Sequence, residues 1–450
     1  MWSFLACPTS TKVKSTDFIN LKPYYSLLKS NATGLPQCER TLLYQFDGNS
    51  GLGSELGIYA TVAAVASAIN YTLLIDDFRW NYGRLSDYFD LPPLNCQPPE
   101  DWMSMPRPAF SNAGVKEPPH IRANRHERDV CTKYLLDRVP KKTIDVQTVW
   151  NYGNYRDKKT VLPGPQNLHI GMKPVFDAKS EVIRRIWRPN QIVTRELDKM
   201  KEYLDKALPE SRVYQCSESV TLRDQLDGKS GETRSLRMIT VHIRMGDKFE
   251  EAPQFRTYNE MPMALGDPRV YFEVIRSMVP CWRTAKELPA LFILSDNTEA
   301  IIKSFEEYQS MYWPHQRFKL LSPSDVEMIT NQGFFQTNFN AAPHQIRRRL
   351  GLSVIRDISF AIERSDRIVC SMSSNLCNML LLLRGSKDLI GSNPKVRSVD
   401  TRWYPTAFPY EISSKSLEPN LKSNWDQILK ISIELLQLNE EEEDENYIEI

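Results

Sequence analysis

The chain has 450 residues, 57 basic against 56 acidic, a net charge of +1, and a hydrophobic fraction of 41%. That length exceeds one small core and suits two α/β domains with insertions. The balanced charge gives no long-range pull toward nucleic acid or a membrane surface, so any anion site must be local, and no stretch approaches the roughly 20 apolar residues of a membrane span.

Residues 1–40 mix Pro, Ser, Lys and Asn without periodicity and read as an arm. The start, Met1 to Cys7, is shorter than a signal-peptide apolar segment and is closed by Pro8. A first α/β domain is expected over 41–228. Thr41 to Phe46 alternates as a strand, Gly48, Gly51, Gly53 and Gly57 follow, and Ser54 to Ile69 is helical with Ser54 as N-cap. Tyr71 to Ile75 is the next strand, ending in Asp76-Asp77. This strand, glycine turn, helix, strand unit builds parallel sheets. The turn Gly51-Leu52-Gly53 offers bare backbone N–H groups at a helix start, where phosphate is favoured. Without a following Gly-Lys-Ser/Thr it is not a Walker A loop, and glycines that merely permit a tight turn are the alternative. Residues 80–165, rich in Trp, Tyr, Asn and Pro, read as an irregular insertion; 190–208 read as a charged helix, and 228–234 as a linker.

A second domain is expected over 235–412. Its strands are Met238 to Arg244, Ala290 to Ser295, Phe318 to Leu321, Arg367 to Ser371 and Asp388 to Gly391. Helices near 268–279, 298–310, 345–364 and 374–384 alternate with them, a doubly wound Rossmann-like pattern. Residues 413–450 add an amphipathic helix near 422–437 and an acidic tail.

The candidate chemistry gathers where Met238 to Arg244 ends. An apolar strand delivers Arg244, Gly246, Asp247, Lys248, Glu250 and Glu251 to what would be the carboxyl edge of a sheet, where α/β proteins bind ligands. A solvated loop is the alternative. Arg244 is the best phosphate candidate, because its planar fork matches two oxygens and stays charged; Lys248 adds a second charge. Ser373-Ser374-Asn375 opens a helix and would turn hydroxyls and amides toward an anion. Three strand ends (Arg244, Asp296-Asn297 and Ser371 to Asn375) and the first glycine turn can thus converge on a diphosphate. On the helix from His344 to Arg364, Ile346, Leu350, Val354, Ile358, Ala361 and Ile362 form an apolar arc that contains Asp357. A carboxylate facing a core needs donors. Arg347 is one partner; a ligand with two adjacent N–H groups, as guanine has, is the other. His242 is either a satisfied core histidine or a ligand contact.

Asp-x-Asp, HExxH and CxxC are absent, and the six histidines give no metal-ligand spacing. The eight cysteines make no disulfide scaffold; Cys370 and Cys377 bracket a short turn, and spacing alone leaves their bridging open. Two glycosylation sequons occur, Asn31-Ala-Thr33 and Asn70-Tyr-Thr72.

Val241 to Lys248, VHIRMGDK, resembles the nucleotide-sugar motif of the α-1,6-fucosyltransferases and the wider fucosyltransferase-like superfamily, which includes the protein O-fucosyltransferases. Asp366 to Asn378, DRIVCSMSSNLCN, resembles that superfamily's strand, paired-serine and cysteine segment. Gly51-Leu52-Gly53, Asp296-Asn297 and Asp357 fall in the same order. The likeness spans about residues 41–405. It implies a GT-B-like fold, two Rossmann-like α/β domains with a cleft between them, holding GDP-fucose without a metal or other cofactor. His242 and Asp357 would read guanine. Asp247 would belong to the nucleotide-sugar site, Arg244 would hold the β-phosphate beside Lys248, and Gly51 to Gly53 with Ser373 and Ser374 would assist. Fucose would pass, with inversion, to a hydroxyl of a glycan or glycoprotein, deprotonated by Glu251 or Glu250. By the same resemblance Cys370 and Cys377 would be bridged, in a Golgi or ER lumen. Two positions depart from the α-1,6 pattern: Met245 stands where a second arginine is expected, and Ala252 where the glutamate falls. Those departures leave two other readings, a catalytically degenerate nucleotide- or glycan-binding relative and an enzyme using another nucleotide sugar.

Overall fold

A computed structural model describes 25–26, 34–137, 173–208, 214–217, 233–245, 268–279, 287–323, 336–388 and 395–399, short breaks at 49, 92, 94–95, 101–103, 109–117, 315–316 and 372–373 apart. Its first parallel sheet has the order β1-β3-β2-β4, from β1 (Tyr25–Ser26), β2 (Thr41–Gln45), β3 (Thr72–Asp76) and β4 (His120–Ala123). Helix α1 (Leu52–Ala68) joins β2 to β3. The 1–40 segment is therefore not only an arm, since β1 pairs with β3. Nor is 80–165 irregular throughout: β4 and helix α2 (Arg128–Asp137) lie within it. A strand of four residues is too short to display a period, so only its pairing with β2 reveals it.

Helices α3 (Lys173–Ile186) and α4 (Gln191–Ala207) follow. Then comes an antiparallel hairpin, β5 (Tyr214–Ser217) with β6 (Thr233–Leu236). The expected linker thus ends inside a strand, because backbone pairing outweighs the polar side chains of Thr233 and Arg234.

The second sheet is also parallel and has the order β11-β10-β7-β8-β9. Its strands are β7 (Met238–Ile243), β8 (Ala290–Ser295), β9 (Leu320–Leu321), β10 (Arg367–Cys370) and β11 (Val396–Ser398). Helices α5 (Pro268–Met278), α6 (Thr298–Tyr312), α7 (Gln336–Ala341), α8 (His344–Arg364) and α9 (Asn375–Arg384) connect them. Of the strand expected at 388–391, Asp388 instead ends a 3-10 turn at Ser386–Asp388, 389–391 lie outside the described residues, and β11 follows. The Asp388 carboxylate takes Arg384 at 2.7 Å and Lys395 at 3.3 Å, and its carbonyl accepts the Lys395 N–H at 2.8 Å, which closes the loop before β11. The expected helix and tail of 413–450 lie outside the described residues.

β7 is buried over its whole length, as a central parallel strand should be. Ile239, Val241 and Ile243 pack with Tyr271, Phe272 and Ile275 of α5 and with Ile301 and Phe305 of α6. Met238 on the opposite face joins a cluster with Phe292, Leu294, Ile355, Ile358 and Phe360, and this cluster continues into the first sheet and α1. One apolar core therefore runs through both units.

Side chains reinforce the joint. Ser180 Oγ donates to the Leu382 carbonyl at 2.6 Å, Trp187 Nε1 donates to Ser359 Oγ at 3.0 Å, and Arg348 pairs with Asp87 at 2.8 Å. The closest approach is α1 against α9. A Cβ added to Gly53 would stand 2.6 Å from the carbonyl carbon and oxygen of Asn375. Glycine is required there because backbone meets backbone, and backbone cannot swing aside. Gly57, one turn later, has nothing within 4 Å of an added Cβ. The pair makes a controlled test: Gly53→Ala should destabilise by about 1–3 kcal/mol, whereas Gly57→Ala should be neutral or stabilising by up to about 1 kcal/mol. Urea unfolding of the two variants measures both; equal effects would remove the close-approach argument.

Candidate functional site

The second sheet fixes where a ligand belongs. Its chain order runs from β7 outward through β8 to β9, then returns to the other side of β7 with β10 and β11. The direction of winding reverses between β7 and β10, and the crevice beyond the carboxyl ends of such a pair is the binding position of doubly wound sheets. His242 pairs in register with Cys370, so Arg244 and Ser371 leave neighbouring strands at the same edge of the sheet.

Arg244 is held by a carboxylate. Its Nη1 donates to Asp296 Oδ2, and the Met245 N–H donates to Asp296 Oδ1 at 2.8 Å. Asp296 begins the turn after β8, the neighbour of β7, and both of its oxygens engage the end of β7. Asp296, expected at the diphosphate site, thus contacts Arg244 and the Met245 N–H directly. Met245, noted as a departure in the sequence, supplies a backbone donor to that arrangement. The guanidinium side chain keeps 17% exposure.

Two helix starts meet beside it. Ser374 is the N-cap of α9, its Oγ accepting from the Leu376 N–H at 3.3 Å, as expected. The start of α1 differs from expectation. Gly51, not Ser54, is its N-cap and no side chain of the segment caps it; the Leu52 N–H instead donates to Tyr82 Oη at 3.0 Å. A tertiary contact has replaced the local cap. Tyr82 is fully buried and lies within electrostatic reach of Arg244, so the α1 start, the α9 start and the arginine share one location. Each helix start carries partial positive charge. Leu52, Gly53 and Asn375 lie at this junction. Ser373, Gly246, Asp247, Lys248, Glu250 and Glu251 lie outside the described residues.

The wall of the junction comes from segments whose local sequence gives no periodic signal. Tyr82 packs against Phe339 with ring centres 4.5 Å apart and planes tilted by 33°. Asn340 Oδ1 accepts from Asn81 Nδ2 at 2.8 Å and from Gln336 Nε2 at 2.9 Å. Tyr271 and Ser371 hydroxyls hydrogen-bond at 2.7 Å under the β10 end. Asn81 and Tyr82 belong to the Trp-Asn-Tyr-Gly run; its aromatic density is visible in the sequence, but its contact with α7 is a long-range fact.

Asp357 is buried on α8 as anticipated, at 7% exposure. Its partner is Arg356, whose Nε donates to Asp357 Oδ1 at 2.8 Å. The salt bridge foreseen with Arg347 thus forms with the adjacent arginine. The expected apolar arc is also corrected at its start: Ile346 is 43% exposed, whereas Arg356, Asp357, Ser359 and Phe360 are buried. Residues 355–361 are buried in succession, so one-sided periodicity does not describe that stretch, whereas Glu363 and Arg364 at the end of α8 are exposed. Ser365, just past α8, hydrogen-bonds Thr240 of β7. Asp357 lies eight residues earlier, about 12 Å at ~1.5 Å per residue. That places it level with Arg244, about 13 Å beyond Thr240 at ~3.3 Å per residue.

His242 is 2% exposed, and burial, with the Arg244 charge adding to it, pushes its pKa down to about 3. It is a neutral imidazole, and Nδ1 has no hydrogen-bond partner among the described residues. Such a group is either a cost or a contact for something absent from the chain.

The bridge between Cys370 and Cys377, which only the resemblance implied, is present, and it spans the turn from β10 into α9. A second bridge, Cys38 to Cys96, was not foreseen, since residues 58 apart meet only in the folded chain. Among the described residues, no cluster of His, Cys, Asp or Glu is arranged to hold a metal, and no helix is long and apolar enough to cross a membrane.

The depressed pKa of His242 has a consequence for stability. The unfolded chain takes up a proton near pH 6.5 that the folded chain refuses until about pH 3. Stability should therefore fall with acidification through that window, by up to about 1.4 kcal/mol per pH unit from this group. In His242→Gln that contribution should vanish from denaturation curves between pH 6.5 and 4; an unchanged pH slope would contradict the assignment.

No family profile matches the sequence, and no curated protein matches it. Among solved structures, it is similar to the Bradyrhizobium fucosyltransferase NodZ, with 11% identity, coverage of 76% of this chain and 91% of that one, and a TM-score of 0.35. It is also similar to a point mutant of Arabidopsis thaliana FUT1 in complex with GDP, with 11% identity, coverage of 82% and 72%, and a TM-score of 0.36.

Proposed function

We propose that this chain is a glycosyltransferase that moves fucose, with inversion, from GDP-fucose to a hydroxyl group of a glycan or glycoprotein. The observation that carries the reading is the junction itself: an arginine fixed by Asp296 at the sheet's reversal point, beside two abutting helix starts. Three sources of positive potential aimed at one place suit a diphosphate. The sequence motifs that resemble fucosyltransferases fall on these elements.

In this reading, Glu251 or Glu250 removes the acceptor proton as the acceptor oxygen attacks the anomeric carbon of the sugar. The bond from that carbon to the β-phosphate oxygen breaks, and its electron pair leaves with GDP. Arg244, Lys248 and the backbone N–H groups of Gly51, Gly53, Ser373 and Asn375 stabilise the charge on the departing diphosphate. No metal takes part in that scheme. His242 and Asp357 face the base, with guanine's N1–H and N2 amine sharing the Asp357 carboxylate with Arg356.

Arg244→Ala should lower kcat/KM for GDP-fucose by at least about 10²-fold while thermal unfolding stays cooperative. Asp296→Asn, which keeps an acceptor for the Met245 N–H but loses the charge, should fall between it and the native protein. A native rate in Arg244→Ala would rule the mechanism out. Binding of GDP by the native chain without hydrolysis or transfer would instead support a degenerate binding protein, and equal competition by UDP and GDP would favour another donor.

A secretory lumen is the compartment this reading implies. The disulfides Cys38–Cys96 and Cys370–Cys377 support it, since such bonds persist in oxidising surroundings. Asn70 of the second sequon is exposed, in a turn with φ of 58°. It lies between α1 and β3, at the sheet edge opposite the site. Chain secreted from insect cells behind a heterologous signal peptide should carry a glycan at Asn70, removed by amidase and absent in Asn70→Gln. Unmodified Asn70 in peptide maps of secreted, disulfide-bonded protein would count against it.

A further inference from the structure

Glu55 stands in the first turn of α1 with 0% exposure, and both carboxyl oxygens are enclosed. Nothing in the transfer scheme uses it. A glutamate in a helix's first turn is ordinarily a solvated group favoured by the dipole. Here it points into the protein instead, where an ionised carboxylate costs several kcal/mol unless well compensated.

Its surroundings are specific. The first sheet winds from β2 to β3 on one side and to β4 on the other, so its own reversal point lies between the ends of β2 and β4. Asp47, after β2, and Arg125, after β4, close that point with an ion pair of 2.6 Å. Glu55 lies against this closure. The Asp47 backbone N–H and the Ser50 hydroxyl face its carboxyl group as donors, short of full hydrogen-bond geometry; Arg125 attracts it and Asp47 repels it. Tyr44 of β2 and Tyr82 are the other titratable groups that sense its charge. Burial outweighs the stabilising partners and holds the carboxyl group above its ordinary range.

Asp47 and Ser50 flank the segment that leads directly into Gly51, the N-cap of α1. We propose that Glu55 is a positioning residue, whose enclosed carboxyl group anchors Asp47 and Ser50 and so sets the glycine turn that faces the donor's diphosphate. The ligand role rests on the function proposed above; the anchoring does not. A carboxyl group has acceptor sites for the Ser50 hydroxyl and the Asp47 N–H together. The substitution Glu55→Gln would preserve that pattern without a titrating proton, and Glu55→Leu would fill the volume and abolish it.

Hydrogen exchange of peptides covering residues 46–56, with GDP binding by calorimetry, separates the two layers. In Glu55→Leu, amides of the turn should exchange at least about tenfold faster while residues 58–68 stay protected, and GDP should bind at least about tenfold more weakly. Glu55→Gln should protect the turn and bind GDP as the native chain does. The sign of the pH effect follows from the raised pKa. The native carboxyl group contributes most below its unfolded value of about 4.5, and that contribution is lost as pH rises through the higher folded value. The stability of Glu55→Gln relative to the native chain should therefore rise as pH increases above about 4.5. Turn protection in Glu55→Leu equal to the native, or a relative stability of Glu55→Gln independent of pH, would overturn the anchoring role. If Glu55→Leu fails to fold, the Glu55→Gln series across pH decides the question. If the native chain binds no GDP, the donor reading fails while the exchange data still judge Glu55.

Discussion

The contact of Gly53 with the backbone of Asn375 is the constraint on which the rest of the site depends. Two helices from different sheets can bring their starts together only if no side chain stands between them. Once they meet, their unsatisfied N–H groups and partial charges add at one place. Everything else near the junction secures that approach. Tyr82 takes the first free N–H of α1, the bridge from Cys370 to Cys377 ties β10 to α9, and Ser180 grips the end of α9 from α3.

A concentration of positive potential at the meeting of two sheets is costly unless something answers it. Asp296 answers part of it, by binding Arg244 and the Met245 N–H together. That pairing lowers the freedom of the arginine and fixes where its charge stands. The same logic separates Asp296 from Asp357. Both are buried acids on opposite sides of the reversal point, and both sit with an arginine, yet only Asp296 holds one that projects from a strand end.

The polar groups beneath the glycine turn differ in kind. Tyr82 and Glu55 are buried in a unit whose core is mostly aliphatic and aromatic, and burial shifts both toward their neutral forms. The charge at the junction therefore comes from Arg244 and the helix starts, offset in part by the Asp296 carboxylate that holds the arginine.

Local pattern was enough to show the parallel α/β class, the position of β7, the helix start at Ser374-Asn375 and the glycine turn before α1, because each is written in neighbouring residues: alternation, a short polar residue before an apolar run, clustered glycines. It also placed Asp357 on the buried side of α8. What it left undecided were partners. Arg356 rather than Arg347 meets Asp357, Asp296 engages Arg244, Tyr82 caps α1 in place of Ser54, and Cys38 finds Cys96. Strands as short as β4 and β11 likewise emerge only through pairing. Period and propensity are properties of adjacent residues, whereas the choice of partner is made by packing between segments tens to hundreds of residues apart, and only the tertiary structure carries that information.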